Sequence, residues 1–325
     1  MWATLEQIID RLKQGRDILV IGHSQPDGDA ISSVAGLVIV LERYGVRATG
    51  CIADRIPWYY HSLPGTELIA TPRGLRGRAF DTTVVVDSSD LDRIGEADAL
   101  LRGEPPDITL DHHRTNQGFG GLDYCDPDAA ATAMIVLEIA NALVPLDQEL
   151  AQVLLLGIAT DTGFFKYANA DAQVLARAAE LAGHGARLQP IASAVVEHRT
   201  LNTIKLLGRM FDTIQLREGG KLAYGWVTGE MLQETGCTDQ DTEGFVGEIR
   251  ALHGVEVAIL FVESPEGEAH VALRSKSSLD VSEVAAALGG GGHARAAGCS
   301  LPVERLEEAI DQVVTAAAQA LRASS

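Results

Sequence analysis

The apolar runs "DILVIGH" (17–23), "DTTVVVD" (81–87) and "PDITLDH" (106–112) each stop on an acidic or imidazole side chain, and "QVLLLGIAT" runs straight into Asp161. Short apolar runs bounded by turn residues read as fully buried strands, the kind found in parallel sheets. A fourth run, "RATGCIA" (47–53), and helical patterns over 29–44, 129–143 and 147–159 complete an alternation of strand and helix. That alternation predicts an α/β domain with a mostly parallel sheet. Ligands of such sheets gather outside the carboxyl ends of the strands, where Asp and His accumulate in this chain.

From about residue 171 the pattern turns helical and alanine-rich, and from about 212 a second pattern begins with the strand candidates "KLAYGWVT", "VEVAILFVES" and "AHVALRSKS". A helix over 280–288, the loop "GGGGHARAAG" and a last helix over 303–322 follow. The reading is an α/β domain over 1–185, a helical connector over 186–211 and a smaller α+β domain over 212–325. With 325 residues, 46% of them hydrophobic, the core is ample without staples. The four cysteines stand singly, without a CxxC pair, and read as reduced thiols. No apolar run reaches the length of a bilayer span. The opening "MWATLEQIIDRLKQGRD" carries charges throughout, unlike a signal peptide, so a cytoplasmic protein without membrane partners is expected. A net charge of −19 argues against coating duplex DNA, which requires a broad basic face. Anionic substrates stay open, because local cations can invert the potential of one cleft.

The chemistry-bearing residues are His23, Asp27 and Asp29 in "HSQPDGD", Asp87, the run Asp111, His112 and His113, and Asp161. Taken singly, each has a plain structural explanation. Asp27 to Asp29 could be a turn and helix cap, Asp87 a cap, Asp161 a helix stop, and the histidines packed rings. Taken together they put carboxylates and imidazoles at four element ends of one domain. Desolvated carboxylates need a counter-charge, and divalent cations are the simplest. Oxygen donors with a minority of imidazoles and no thiolates favour Mn²⁺, with Mg²⁺ or Co²⁺ as alternatives. Ser24 lies in "GHSQP", not in a GxSxG elbow, so a serine hydrolase is a poor fit.

These residues resemble the DHH phosphoesterase superfamily, whose name stands here as Asp111, His112 and His113. "HSQPDGDAISS", "VVVDSSDLDRIG", "LDHHRTN" and "GIATDTGFFKY" look like its four motifs in order, and "VALRSK" with "GGGGHARAAG" looks like the DHH-associated C-terminal domain. Within the superfamily the chain is most similar to bacterial bifunctional oligoribonucleases, which also act on 3′-phosphoadenosine 5′-phosphate (pAp). Ile31 and Ser32 depart from the usual Leu or Tyr followed by Gly, a change expected to affect packing. The resemblance implies one metal position held by His23, Asp27 and Asp87 and another by Asp29, Asp87, His112 and Asp161, with Asp87 bridging. Two metals about 3.5–4 Å apart do require a shared ligand. Asp111 would orient His112 or His113 from behind, and His113 would face the substrate phosphate as a donor or acid.

For the second domain, a glycine run ending at His293 lets backbone N–H groups approach an anion; a linker is the commoner fate of such a run, but the small residues Ala296, Ala297 and Gly298 that follow favour the anion-binding reading. Arg274 and Lys276 alternate along a strand candidate and can face one side. In the resembling domain the arginine and the glycine-loop histidine bind the phosphate or nucleotide end, which makes Arg274, Lys276, Gly290, Gly291, Gly292 and His293 the expected substrate-binding residues. A terminal phosphate held there would limit substrates to short single-stranded RNA, dinucleotides and mononucleotides. The expected activity is hydrolysis of short oligoribonucleotides to mononucleotides, together with pAp. The alternative is a phosphodiesterase for linear or cyclic dinucleotides such as cyclic di-adenylate, and a non-catalytic sensor fits less well because every ligand is present. Related proteins are often dimers, so a homodimer is compatible with the sequence.

Overall fold

Alternation within the apolar runs decides how the first sheet is covered. The computed structural model describes residues 1–264, 267–276, 279–302 and 305–323, and the His293 side chain lies outside the described part. The chain divides into two units, Met1–His198 and Arg199–Ser325. The first unit contains α1 (Leu5–Gln14), β1 (Asp17–Ile21), α2 (Gly28–Tyr44), β2 (Arg47–Cys51), β3 (Ile69–Ala70), β4 (Thr82–Val86), β5 (Ile108–Asp111) and β6 (Leu122–Cys125). The helices α3 (Thr132–Leu143), α4 (Gln148–Asp161), α5 (Ala172–Gly183) and α6 (Leu188–Val196) complete it. Every pairing in its sheet is parallel, in the order β3-β2-β1-β4-β5-β6. Ile18, Val20, Val84 and Val86 face the core shared with α2, α3 and α4, while Leu19, Ile21, Cys51 and Val85 face a smaller cluster with Leu75, Ile94 and Leu101. Two-residue periodicity thus buries both faces of the strands.

The chain builds outward from β1 to β2 and β3, then returns to the other side of β1 with β4, β5 and β6. The order reverses between β1 and β4, which makes their carboxyl ends the switch point where ligands of such sheets bind. The next helix, α2, is buried on all sides from Gly28 to Leu41, as a helix apolar around its whole circumference must be. Its N-cap is Asp27, whose Oδ1 accepts from the backbone N–H groups of Asp29 and Ala30, both at 3.0 Å.

The strands are shorter than the sequence suggests. β1 ends at Ile21 and β4 at Val86, so His23 and Asp87 stand in the turns beyond them. β3 and β6, of two and four residues, escaped the sequence reading because so short a pattern has no resolvable period.

The second unit comprises α7 (Leu201–Asp212), β7 (Gln215–Arg217), β8 (Leu222–Val227), α8 (Gly229–Thr235), α9 (Phe245–Arg250), β9 (Val257–Glu263), β10 (Glu268–Ser275), α10 (Val281–Ala286), β11 (Gly291–His293), β12 (Ala296–Pro302) and α11 (Leu306–Ala323). Its sheet runs β11-β12-β10-β9-β8-β7, parallel only between β8 and β9. On β9, Val257, Ile259 and Phe261 pack toward the cluster shared with α10 and α11, and Ala258, Leu260 and Val262 toward the cluster with α7 and α9. An α/β unit followed by a mixed-sheet α+β unit is the architecture the sequence led us to expect. The stretch anticipated as a connector contains α6 of the first unit and α7 of the second. Among the described residues no helix is long and apolar enough to cross a membrane.

The glycine run, read from the sequence as a loop, is partly strand. It ends α10 and then forms β11, paired antiparallel with β12 from Gly291 opposite Gly298 to His293 opposite Ala296. A Cβ on Gly290 would lie 2.1 Å from the Gly298 carbonyl oxygen, and one on Gly292 2.6 Å from that of Ala296. Close strand approach therefore requires glycine at both positions. The small residues of β12 gave no strand signal because β propensity comes largely from branched and aromatic side chains.

Candidate metal centre

Five elements deliver side chains to one place at the carboxyl end of the first sheet. His23 follows β1, Asp87 follows β4, Asp111 is the last residue of β5 with His112 and His113 just beyond it, Asp27 and Asp29 open α2, and Asp161 closes α4. Close approach of the helices depends on two glycines. A Cβ on Gly28 would lie 2.4 Å from Thr160 Oγ1, and one on Gly157 2.5 Å from Asp29 Oδ1. No side chain fits at either position, so glycine is what brings Asp29 and Asp161 together.

The donor atoms fall into groups that meet at Asp87. His23 Nε2 stands 3.8 Å from Asp27 Oδ1 and 3.5 Å from Asp87 Oδ2. His112 Nε2 stands 3.6 Å from Asp87 Oδ1, 3.6 Å from Asp161 Oδ2 and 3.9 Å from Asp29 Oδ2. These separations are too long for good hydrogen bonds but suit ligands arranged around a cation. Both rings are held from behind: His23 Nδ1 lies 2.7 Å from the Ser24 carbonyl and His112 Nδ1 3.1 Å from that of Ala129. A carbonyl can only accept, so each Nδ1 carries the proton and each Nε2 lone pair points into the cluster in the neutral ring. This is the usual arrangement of a metal-ligating histidine. The two oxygens of Asp87 face different groups, one toward His23 and one toward His112. Sharpening this aim, Asp87 sits in the left-handed region at φ 57°, which strains a residue with a side chain.

The electrostatics describe a site short of positive charge. Burial, reinforced by Asp87 and Asp161, pushes Asp29 well above the usual carboxylate range. Burial also raises Asp161 to about 6, with His112 opposing and Asp27 and Asp87 adding to the rise. Burial would raise Asp87 as well, but His23, His113 and His112 outweigh it and hold that carboxylate far below its ordinary value. For the imidazoles burial disfavours charge, yet Asp27 and Asp87 bring His23 up to about 10 and Asp161, Asp87 and Asp29 bring His112 up to about 9. Two rings that ordinarily release their protons near 6.5 retain them here, because the carboxylates demand a cation. The donor set, its orientation and its charge all fit divalent metal.

Behind the cluster lies a second layer. Asp111, fully buried, accepts from His113 Nδ1 at 2.6 Å through one oxygen and from Asn116 Nδ2 at 2.7 Å through the other. Asp111 thus orients His113, while His112 is oriented by the backbone. Thr132 Oγ1 donates to Asp87 Oδ1 at 2.9 Å. The N–H groups of Thr132 and Ala133, in the first turn of α3, donate to Asp29 Oδ2 and Oδ1 at 2.6 and 3.0 Å. Asp29 therefore completes a helix N-terminus whose own N-cap, Ala131, has no capping side chain. Thr132, Asn116 and Arg93, whose Nη1 is 3.4 Å from His113 Nε2, escaped the sequence reading. Thr132 opens a helix and so resembles a cap, while Asn116 and Arg93 lie inside the quoted motifs without a local pattern of their own.

In the second unit, Arg274 lies on β10 and its Nη1 donates to the Leu273 carbonyl at 2.9 Å. Lys276 stands one residue past β10, exposed, with Nζ donating to the Leu252 carbonyl at 3.0 Å. The N–H groups of Gly289 and Gly290 bond to the carbonyls of Ala286 and Ala285 at the end of α10. Gly291 and Gly292 belong to β11, and the side chain of His293 lies outside the described residues.

Comparison with known proteins identifies the family. Residues 17–158 match the DHH family N-terminal domain and residues 219–320 the DHHA1 domain. The chain is 34% identical to the bifunctional oligoribonuclease and PAP phosphatase NrnA of Thermus thermophilus, over 98% of this chain and 95% of that protein. It is 26% identical to the protein of the same description from Bacillus subtilis, over 87% and 89%. The cyclic-di-AMP phosphodiesterase PdeA of Listeria monocytogenes is 24% identical over 94% of this chain, which spans 48% of that protein. A crystal structure of an exopolyphosphatase-related protein from Bacteroides fragilis shares the fold, with a TM-score of 0.85 at 23% identity over 96% of this chain and 94% of that one. The chain belongs to the DHH family of phosphoesterases, with the DHH domain followed by a DHHA1 domain.

Proposed function

We propose that this protein hydrolyses short oligoribonucleotides to mononucleotides and pAp to AMP, with two divalent cations held by His23, Asp27 and Asp87 and by Asp29, Asp87, His112 and Asp161. The observation that carries the reading is the division of Asp87, whose Oδ2 faces His23 at 3.5 Å and whose Oδ1 faces His112 at 3.6 Å. The bifunctional relatives described above support the substrate class. When bound, the cations supply charge that neutralises phosphate oxygens and lowers the pKa of the attacking water. The protein's own groups do the positioning. His23 and His112 are locked by backbone carbonyls, Thr132 steadies the shared carboxylate, and the first turn of α3 grips Asp29. His113, aligned by Asp111, presents its ring to the substrate phosphate and to the leaving oxygen.

The donor set favours Mn²⁺ within the proposal, and Arg274, Lys276, Gly290, Gly291, Gly292 and His293 are assigned to the nucleotide end of the substrate. An arginine can fork onto two phosphate oxygens, which a lysine does not. The proposed enzyme works in the cytoplasm on single-stranded or mononucleotide-sized substrates, as a monomer or a homodimer. The test is hydrolysis with added Mn²⁺ of a 5′-phosphorylated RNA dinucleotide, a five-residue RNA, a long single strand, pAp and cyclic di-adenylate, with Asp87→Ala run alongside. Turnover confined to the short RNAs and pAp, and lost in Asp87→Ala, is expected. Dominant cleavage of cyclic di-adenylate would replace this reading with that of a signalling phosphodiesterase.

A further inference from the structure

The metal centre gathers five aspartates, and one guanidinium at its edge is neutralised by none of them. Arg93 is half-buried, and among the described residues it has no carboxylate within ion-pair distance. Among the described residues its side chain makes one hydrogen bond, from Nη1 to His113 Nε2 at 3.4 Å. Asp111 can only accept from His113 Nδ1, so that nitrogen carries the proton and Nε2 of the neutral ring accepts from the arginine. A guanidinium has five N–H donors, and this contact uses one of them.

The backbone of Arg93 is tied to the metal-binding turn. Ser24, adjacent to His23, donates to the Arg93 carbonyl through both its N–H at 2.7 Å and its hydroxyl at 2.8 Å, and the Arg93 N–H donates to Asp90 Oδ1 at 3.2 Å. A cation so anchored, beside a carboxylate cluster yet paired with no member of it, is placed for an incoming anion. A salt bridge within the protein would have consumed the fork that phosphate requires.

Resting on the phosphoester-hydrolase reading of this site, we propose that Arg93 is a substrate-binding catalytic residue whose guanidinium takes the non-bridging oxygens of the scissile phosphate alongside His113. Arginine is suited to this because charge builds on those oxygens as the bond to the leaving group breaks.

Arg93→Ala and Arg93→Lys would be compared with wild type in three measurements: Mn²⁺ stoichiometry and affinity by calorimetry, kcat and KM on the 5′-phosphorylated RNA dinucleotide and on pAp, and the response of the alanine variant to added guanidinium chloride at millimolar concentration. The expected result is unchanged Mn²⁺ binding, a loss in kcat/KM of ~10²–10³-fold for alanine, a smaller loss for lysine, and partial rescue of the alanine variant by guanidinium. A kcat/KM within threefold of wild type with Mn²⁺ binding intact would overturn the assignment, as would Mn²⁺ binding lost in parallel with activity. If wild type prefers cyclic di-adenylate instead, the same comparison on that substrate decides Arg93, so this inference and the substrate reading fail separately.

Discussion

Replacing Thr132 by valine removes one hydroxyl from the candidate metal centre while nearly conserving volume. Thr132 is fully buried and its Oγ1 lies 2.9 Å from Asp87 Oδ1. A hydrogen bond to a charged group contributes about 1.5–3 kcal/mol. The valine methyl also needs roughly 3.3–3.6 Å to the same oxygen, so the carboxylate must shift by about 0.4–0.7 Å, beyond the ~0.2 Å tolerance of a metal-ligand distance. Since the two oxygens of Asp87 serve the two sides of the centre, both positions suffer. Loss of the hydrogen bond alone corresponds to ~10- to 150-fold in cation affinity, which overlaps the ~10–100-fold typical of partners that hold metal ligands. The backbone N–H to Asp29 is retained, so Thr132→Val should fold, as its far-ultraviolet circular dichroism would verify. Calorimetric titration with Mn²⁺ should show weaker binding at both sites, with Thr132→Ser close to wild type. Unchanged or tighter binding in Thr132→Val would refute the argument that the hydroxyl steadies the shared carboxylate.

Other perturbations follow from the same geometry. Asp111→Asn removes the carboxylate that orients His113 while leaving the ligand groups in place, so kcat should fall by ~10²-fold or more with Mn²⁺ affinity unchanged, and equal loss of metal binding would contradict the assignment. Gly28→Ala places a Cβ against Thr160, and urea unfolding should register about 1–3 kcal/mol of destabilisation together with weaker Mn²⁺ binding; wild-type stability would show that the α2–α4 approach is not tight. His23 and His112 rise from 6.5 to about 10 and about 9 in the metal-free protein, so their contribution is fully present below pH 6.5 and is lost as pH climbs through those values. Metal-free stability, followed by urea midpoint, should therefore decline across that window. Mn²⁺ binding near neutral pH should release protons, seen as buffer-dependent heat in calorimetry; a midpoint that rises with pH would count against this electrostatic picture.

Much of this architecture is legible before any coordinates, because buried parallel strands write themselves as apolar runs and metal ligands are of few chemical types. Asp27 shows why single-residue arguments stay ambiguous: the helix cap and the candidate ligand proved to be the same oxygen, Oδ1, so the two readings were never exclusive. Thr132 and Arg93 were illegible for a different reason. Their partners, Asp87 and His113, are 45 and 20 residues away in the chain, and no local pattern encodes such a contact. The glycine run stays ambiguous for a related reason: close packing and anion binding ask for the same absent side chain, and the pairing of β11 with β12 makes the packing demand visible.

The left-handed backbone of Asp87 carries an implication for how substitutions at this site should be interpreted. Residues held in such conformations cost of order 1–3 kcal/mol, and glycine adopts them without penalty. The backbone at position 87 alone would favour glycine, whereas the Thr132 hydroxyl and the imidazoles of His23 and His112 favour the carboxylate. An Asp87→Gly protein would relieve the backbone while removing the candidate bridging carboxylate, so its urea midpoint and its turnover report separately on the two demands made of this position.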